Sequence, residues 1–234
     1  MNCLYCDTAI ALEMSWRNLL FPTVQPKLCE SCDRKLLLIG ETCCESCSRP
    51  LKNVAPKYIK ENKCLDCIKW EQDPNWTNTL AENISLFQYN DFLKEVVARF
   101  KFRGDYELAK IFSGELKRQL RTIEYEMLVP IPLSIERLLE RGFNQSEALA
   151  QVAGIETDHV LERIHSEKQS KKTRKQRLSQ QQIFRFCGDK KQVFEKNILL
   201  IDDIYTTGIT LRHAAKVLKE AGAGQVHAIT LARG

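Results

Sequence analysis

Apolar positions from residue 81 onwards follow two alternating periods. Phe92, Val96, Val97 and Phe100 recur at helical spacing over 91–102. Leu211, Ala214, Ala215 and Leu218 repeat that spacing at i, i+3, i+4 and i+7, with Gly222 closing the helix. Amphipathic stretches over 105–122 and 135–153 read as two more helices. Between them lie short runs that read as strands: SLFQYN (85–90), MLVPIPLS stopped by Pro130 and Pro132, VLERI (160–164), the apolar run 198–201, and VHAITLA (226–232). Strands alternating with helices of this length predict a parallel α/β sheet with right-handed crossovers.

Before residue 81 this periodicity is replaced by cysteines. Ten occur in the chain, at 3, 6, 29, 32, 43, 44, 47, 64, 67 and 187, and eight of them form four C-x-x-C pairs. Cys3 and Cys6 with Cys29 and Cys32 supply one set of four thiolates; Cys44 and Cys47 with Cys64 and Cys67 supply another. Each set suits a closed tetrahedral Cys₄ site, a structural rather than a catalytic zinc. One or two zinc ions are expected, with sequential pairing as the default, interleaved pairing left open, and Cys43 left over. A redox-active C-x-x-C would normally occur once, and a disulfide framework suits a secreted chain, so both fit less well. The polar stretch EQDPNWTNTL with Pro74 reads as a linker. The expected division is therefore a zinc-binding domain over 1–70, a linker over 71–80 and an α/β domain over 81–234. Trp16, Leu19, Leu20 and Phe21, between the first two pairs, are expected to pack against the larger domain.

Composition narrows the class. The 234 residues are 44% hydrophobic and 28% charged, as in a globular protein. No run approaches the ~18 apolar residues of a membrane span. MNCLYCDTAI lacks the regions of a secretory signal, so membrane insertion and secretion are not expected. The net charge of +5 has one address, since 163–177 (RIHSEKQSKKTRKQR) carries seven basic residues against one acid. This strip reads in three ways: a loop closing over phosphate, a solvated charge run, or an arm contacting DNA. The four histidines read as structural or surface residues, with only His165 placed to carry a proton.

The most informative segment is ILLIDDIYTTGITL, 198–211. An apolar strand ends in two acids, a Thr- and Gly-containing turn follows, and a helix begins. Amides of such a turn and a helix N-terminus form an anion site, to which Thr206, Thr207 and Thr210 add hydroxyls. Asp202 and Asp203 would repel a phosphate unless they face something else, and sugar hydroxyls suit carboxylates, which only accept hydrogen bonds. Capping the helix or holding Mg²⁺ is the plainer alternative. No Walker A loop or Rossmann fingerprint occurs.

This segment resembles the phosphoribosyl-pyrophosphate (PRPP) signature of type I phosphoribosyltransferases. Together with the knuckles, KFRGD (101–105), VPIPLS (129–134) and RGFNQ (141–145), it makes the chain similar to the ComF family along nearly its full length. The resemblance implies a phosphoribosyltransferase-like sheet flanked by helices, with a small zinc-ribbon-like domain before it. It places PRPP at Asp202, Asp203, Tyr205, Thr206, Thr207, Gly208 and Thr210, and pyrophosphate at Leu133, Ser134, Arg137 and Arg141. It offers Lys168, Lys171, Lys172, Arg174 and Arg177 as catalytic cations, with Gln169 orienting, and Phe102 and Arg103 as acceptor-pocket residues. Mg²⁺ would accompany PRPP. Purine-salvage members carry an acid two residues before the motif glycine; here Thr206 stands there, so purine salvage is put in doubt and the acceptor is unidentified. The resemblance further implies a cytoplasmic protein of natural transformation, with single-stranded DNA and a helicase-like DNA-import protein as partners. The alternative is a catalytically silent fold serving as an adaptor for nucleic acid or protein.

Overall fold

The computed structural model describes residues 1–10, 25–52, 54–102, 104–164 and 183–234. Trp16, Leu19, Leu20, Phe21, Arg103, His165, Lys168, Gln169, Lys171, Lys172, Arg174 and Arg177 lie outside the described residues.

Four parallel strands form the central sheet in the order β3–β8–β7–β4. They are β3 (Asn83–Gln88), β4 (Met127–Pro130), β7 (Ile198–Tyr205) and β8 (Val226–Arg233). The apolar run at 198–201 is buried on both faces, as a central parallel strand requires. Ile198 and Leu200 belong to one core, with Leu211, Ala214, Ala215 and Leu218 of α7 (Ile209–Glu220). Leu199 and Ile201 belong to the other. That second core is filled from α3 (Asp91–Phe102), a 3₁₀ segment Tyr106–Phe112, α4 (Ser113–Leu120) and α6 (Gln145–Ala153).

Several boundaries differ from the sequence pattern, each for a local reason. The single helix expected over 135–153 is two, α5 (Ile135–Arg141) and α6. Gly142 ends α5 in the left-handed region (φ 80°), and the Asn144 side chain caps α6 by accepting from Ser146 N. The stretch 105–122 likewise divides into the 3₁₀ segment and α4. VLERI does form a strand, β5 (Leu161–Arg163), but it pairs antiparallel with β6 (Phe184–Phe186), outside the main sheet. The first strand spans 83–88 rather than 85–90. β7 runs past its apolar run to Tyr205, so both acids sit within the strand.

The cysteine-rich part is joined closely to the sheet. It contains α1 (Glu30–Asp33), a two-residue hairpin of β1 (Ile59–Lys60) and β2 (Lys63–Cys64), and α2 (Leu65–Gln72). Residues 37–39 lie along β3: Ile39 N donates to Leu86 O, and Gln88 N donates to Leu37 O. Ser48 Oγ accepts from Ser85 N at 3.0 Å and donates to Asn83 O at 2.9 Å. The β3 edge, whose groups would otherwise be unpaired, is thereby covered. Within 71–80, Trp76, Thr79 and Leu80 are buried, and Trp76 meets the His213 ring of α7 edge-on at 4.8 Å.

Candidate functional site

The two thiolate sets assemble as the sequential pairing expects. Cys3, Cys6, Cys29 and Cys32 form one group and Cys44, Cys47, Cys64 and Cys67 the other, with their sulfurs within 4.8 Å of one another in each. All eight are free thiols. A tetrahedral ion with metal–sulfur bonds of about 2.3 Å has sulfur–sulfur edges of about 3.8 Å. Cys47 and Cys64 are 3.8 Å apart, and Cys6 and Cys29 are 3.6 Å apart. Both groups therefore have the donors and spacing to hold a zinc ion. They differ in setting. The second is fully buried and belongs to the same core as α7, whereas in the first Cys6 is exposed. Cys43 is not a member of either group.

The strand-end acids come from β7. Asp202 Oδ1 accepts from Ser146 Oγ at 3.1 Å and from Asp203 N at 2.9 Å. Burial, and then the adjacent Asp203 charge, push the Asp202 carboxyl up to about 7; its hydrogen bonds and Lys101 act in the other direction. Asp203 faces Lys101 of α3 across 2.6 Å. Neither Ser146 nor Lys101 stands out in the sequence as a site residue. Ser146 is hidden inside an apolar helical pattern, although Lys101 opens the KFRGD segment.

The turn after β7 is built around Gly208, whose φ of 81° and close contacts leave no room for a side chain. A Cβ there would meet Tyr205 Oη at 2.1 Å. Tyr205 thus lies beneath the turn, and burial holds its hydroxyl above the ordinary range. Thr206 and Thr207 are exposed on the turn, and Thr207 Oγ1 accepts from Ile209 N at 3.4 Å. Thr210 lies in the first turn of α7.

Opposite the acids, basic groups gather from α5 and β5. Arg163 is half-buried, and burial, with Arg137 and Arg141 nearby, pulls its guanidinium below the usual range, opposed by Asp202. It remains a cation. Arg163 was visible in the sequence only as one charge of a basic strip; pairing with β6 places it near Asp202. Arg141 bonds Gln145 Oε1 at 2.8 Å and stacks over Phe102, 5.4 Å from its centroid. Its buried Nε has no partner among the described residues. Ser134 caps α5 by accepting from Arg137 N at 3.4 Å. Leu133 lines a cavity of about 500 Å³ that also touches Pro132, Ile135, Leu161 and Arg163.

The arrangement is two acids and a Gly-Thr turn at the carboxyl end of a parallel strand, faced by guanidinium groups. Such a site can hold a sugar by its hydroxyls and phosphates by their charge. The phosphoribosyl transferase domain family matches residues 138–234. The chain is 39% identical to competence protein ComFC of Bacillus subtilis (strain 168), over 99% of this chain and 94% of that protein. It belongs to the ComFC family. A second family member, competence protein ComFC of Streptococcus pneumoniae (strain ATCC BAA-255 / R6), is 35% identical over the full length of both chains. DNA utilization protein YhgH of Escherichia coli (strain K12) is 25% identical over 89% of this chain and 97% of its own. The structure of an allosteric regulatory enzyme of purine biosynthesis aligns with TM-score 0.37 and 20% identity, over 52% of this chain and 25% of that one. This ComFC-family chain spans about a quarter of that structure, an overlap that carries no functional argument. The ComFC-family fold is thus a parallel phosphoribosyltransferase-like sheet joined to an N-terminal region with two Cys₄ groups. No helix among the described residues is long and apolar enough to cross a membrane.

Proposed function

We propose that this chain is a zinc-containing, PRPP-binding phosphoribosyltransferase-like protein of DNA uptake in natural transformation, acting in the cytoplasm on an acceptor still to be identified. The observation that carries the reading is the placement of Asp202, Asp203 and the Thr206–Thr207–Gly208 turn at one strand end, beside Arg163. Asp202 and Asp203 accept hydrogen bonds from the ribose hydroxyls, while the turn and the α7 N-terminus hold the 5′-phosphate. Transfer breaks the bond from C1′ to pyrophosphate, and charge develops on the leaving group. Arg137, Arg141 and Arg163 supply fixed positive charge there, and Lys168, Lys171, Lys172, Arg174 and Arg177 of the basic strip are further candidates. Oxygen donors at Asp202 and Asp203 suit a hard cation, and Mg²⁺ arriving with PRPP would add charge neutralisation at the pyrophosphate. Zinc held by Cys3, Cys6, Cys29 and Cys32, and by Cys44, Cys47, Cys64 and Cys67, would be structural, since four thiolates leave no open position. The relatives are named for competence and DNA utilization, which supports the role in DNA uptake; single-stranded DNA and a helicase-like import protein are the partners proposed for it.

Calorimetric titration with PRPP and Mg²⁺ tests this. Binding by the metal-loaded protein is expected, with loss in Asp202→Asn/Asp203→Asn. A folded, metal-loaded wild type that does not bind PRPP refutes the transferase reading and leaves the adaptor reading.

A further inference from the structure

We infer that the second Cys₄ centre holds the 206–210 turn in shape, and that Trp70 is the positioning residue that joins them. The geometry starts at the thiolates. Cys64 is the N-cap of α2, and Cys67 lies in its first turn. Trp70 follows three residues later, on the same helix face as Cys67. Its indole Nε1 donates to the Thr207 carbonyl oxygen at 3.2 Å, across 137 residues of sequence. That carbonyl belongs to the turn itself, one residue before Gly208. The indole is fixed from two sides: the Arg212 guanidinium of α7 stacks over it at 5.0 Å, and Trp76 meets it edge-on at 5.4 Å.

A second link reaches the other end of the turn. Arg233 is buried; its Nε points at Cys47 Sγ at 3.5 Å, and its Nη1 donates to the Tyr205 carbonyl oxygen at 3.2 Å. The carbonyls of 205 and 207 are therefore both held by groups that begin at one thiolate set. An ion bound there fixes the Cys67 and Cys47 sulfurs, and with them the start of α2 and the Arg233 fork. Any ligand of the turn then meets a preformed backbone, which reduces the ordering it must impose.

The functional consequence rests on reading this turn as the phosphate-binding loop, but the coupling itself can be measured without PRPP. Trp70→Phe keeps an aromatic ring beside Arg212 and removes the donor together with the pyrrole part of the indole. Hydrogen exchange is compared between wild type and Trp70→Phe, each with its metal content measured and equal. The expected result is roughly 3- to 10-fold faster exchange in amides 206–211, with β3 and β8 unchanged, and a roughly 2- to 10-fold weaker PRPP affinity, the size of one lost hydrogen bond. A residue that merely supported the fold would lower the melting temperature without this local signature. If Trp70→Phe loses metal or fails to fold, benzothienylalanine at position 70 replaces the indole N–H by sulfur at the same shape and takes its place. Turn exchange equal to wild type overturns the inference. Faster exchange in the variant, alongside a wild type that ignores PRPP, keeps the coupling and overturns the phosphate reading instead.

Discussion

The Lys101 ammonium lies 2.6 Å from the Asp203 carboxylate, with 16% and 12% of the two side chains exposed, so one of the paired strand-end acids has its own counter-ion. Asp202, one residue away, is in no ion pair among the described residues; its hydrogen-bond partners there are the Ser146 hydroxyl and a backbone amide. The two carboxylates therefore sit in different electrostatic settings although they are adjacent in sequence.

Lys101→Met should remove that balance. Asp203 then confronts Asp202 without compensation, and the Asp202 carboxyl is expected to titrate above about 7, because Lys101 is one of the groups holding it down. Loss of a largely enclosed ion pair costs roughly 1–3 kcal/mol of stability. Carboxyl NMR of Asp202 reads the first effect and thermal unfolding the second; an unchanged Asp202 titration contradicts the assignment.

The raised Asp202 carboxyl also sets a direction for stability against pH. In the unfolded chain the group titrates near its ordinary value of about 4, and in the folded protein at about 7. Between those values the folded state binds more protons, so this group's contribution falls as pH rises from about 4 to 7. Asp202→Asn should abolish that slope. At pH 8 it should raise the melting temperature by about 3–6 °C, equivalent to roughly 1–2 kcal/mol, with little change at pH 4. The same substitution removes an acceptor for ribose, so a gain in stability is expected together with a loss of PRPP affinity.

Gly208→Ala places a methyl group against the Tyr205 phenol in a left-handed backbone position. Strain of roughly 1–3 kcal/mol is expected, concentrated in the turn. PRPP titration should show at least a 10-fold loss, and circular dichroism a folded sheet. Normal affinity would mean that the turn takes no part in binding.

Metal analysis should find two equivalents of zinc, released in two phases. The Cys3 group, with Cys6 exposed, should yield its ion to a chelator quickly; the buried Cys44 group should yield its ion only with unfolding. Cys6→Ser should therefore leave the sheet folded with one equivalent. Cys64→Ser should give insoluble protein. A single release phase would contradict this difference.

The sheet and the strand-end acids were legible because their signals are local: an apolar run, two acids, then a Gly-Thr turn. The cysteine pairing was equally legible, since C-x-x-C spacing already places two thiolates on one knuckle. Lys101, Ser146 and Arg163 were not read as site residues, because each joins the acids only through tertiary packing: α3 and α6 cross one face of the sheet, and β5 pairs with a strand twenty residues on. Nor did spacing reveal Trp70, which lies outside the α/β pattern and meets the turn from the metal-binding side. The helix expected over 135–153 failed at Gly142, whose left-handed conformation outweighed an amphipathic pattern that continues through it.

The strip 37–39 and Ser48 occupy the hydrogen-bonding groups on the outer side of β3. A fragment beginning at residue 81 would bare that side, with Leu86 and Phe87 beside it, and would offer a template on which another copy could add a strand. The cysteine-rich region therefore shields that edge from self-association, and disrupting its two Cys₄ groups is expected to show first as precipitation.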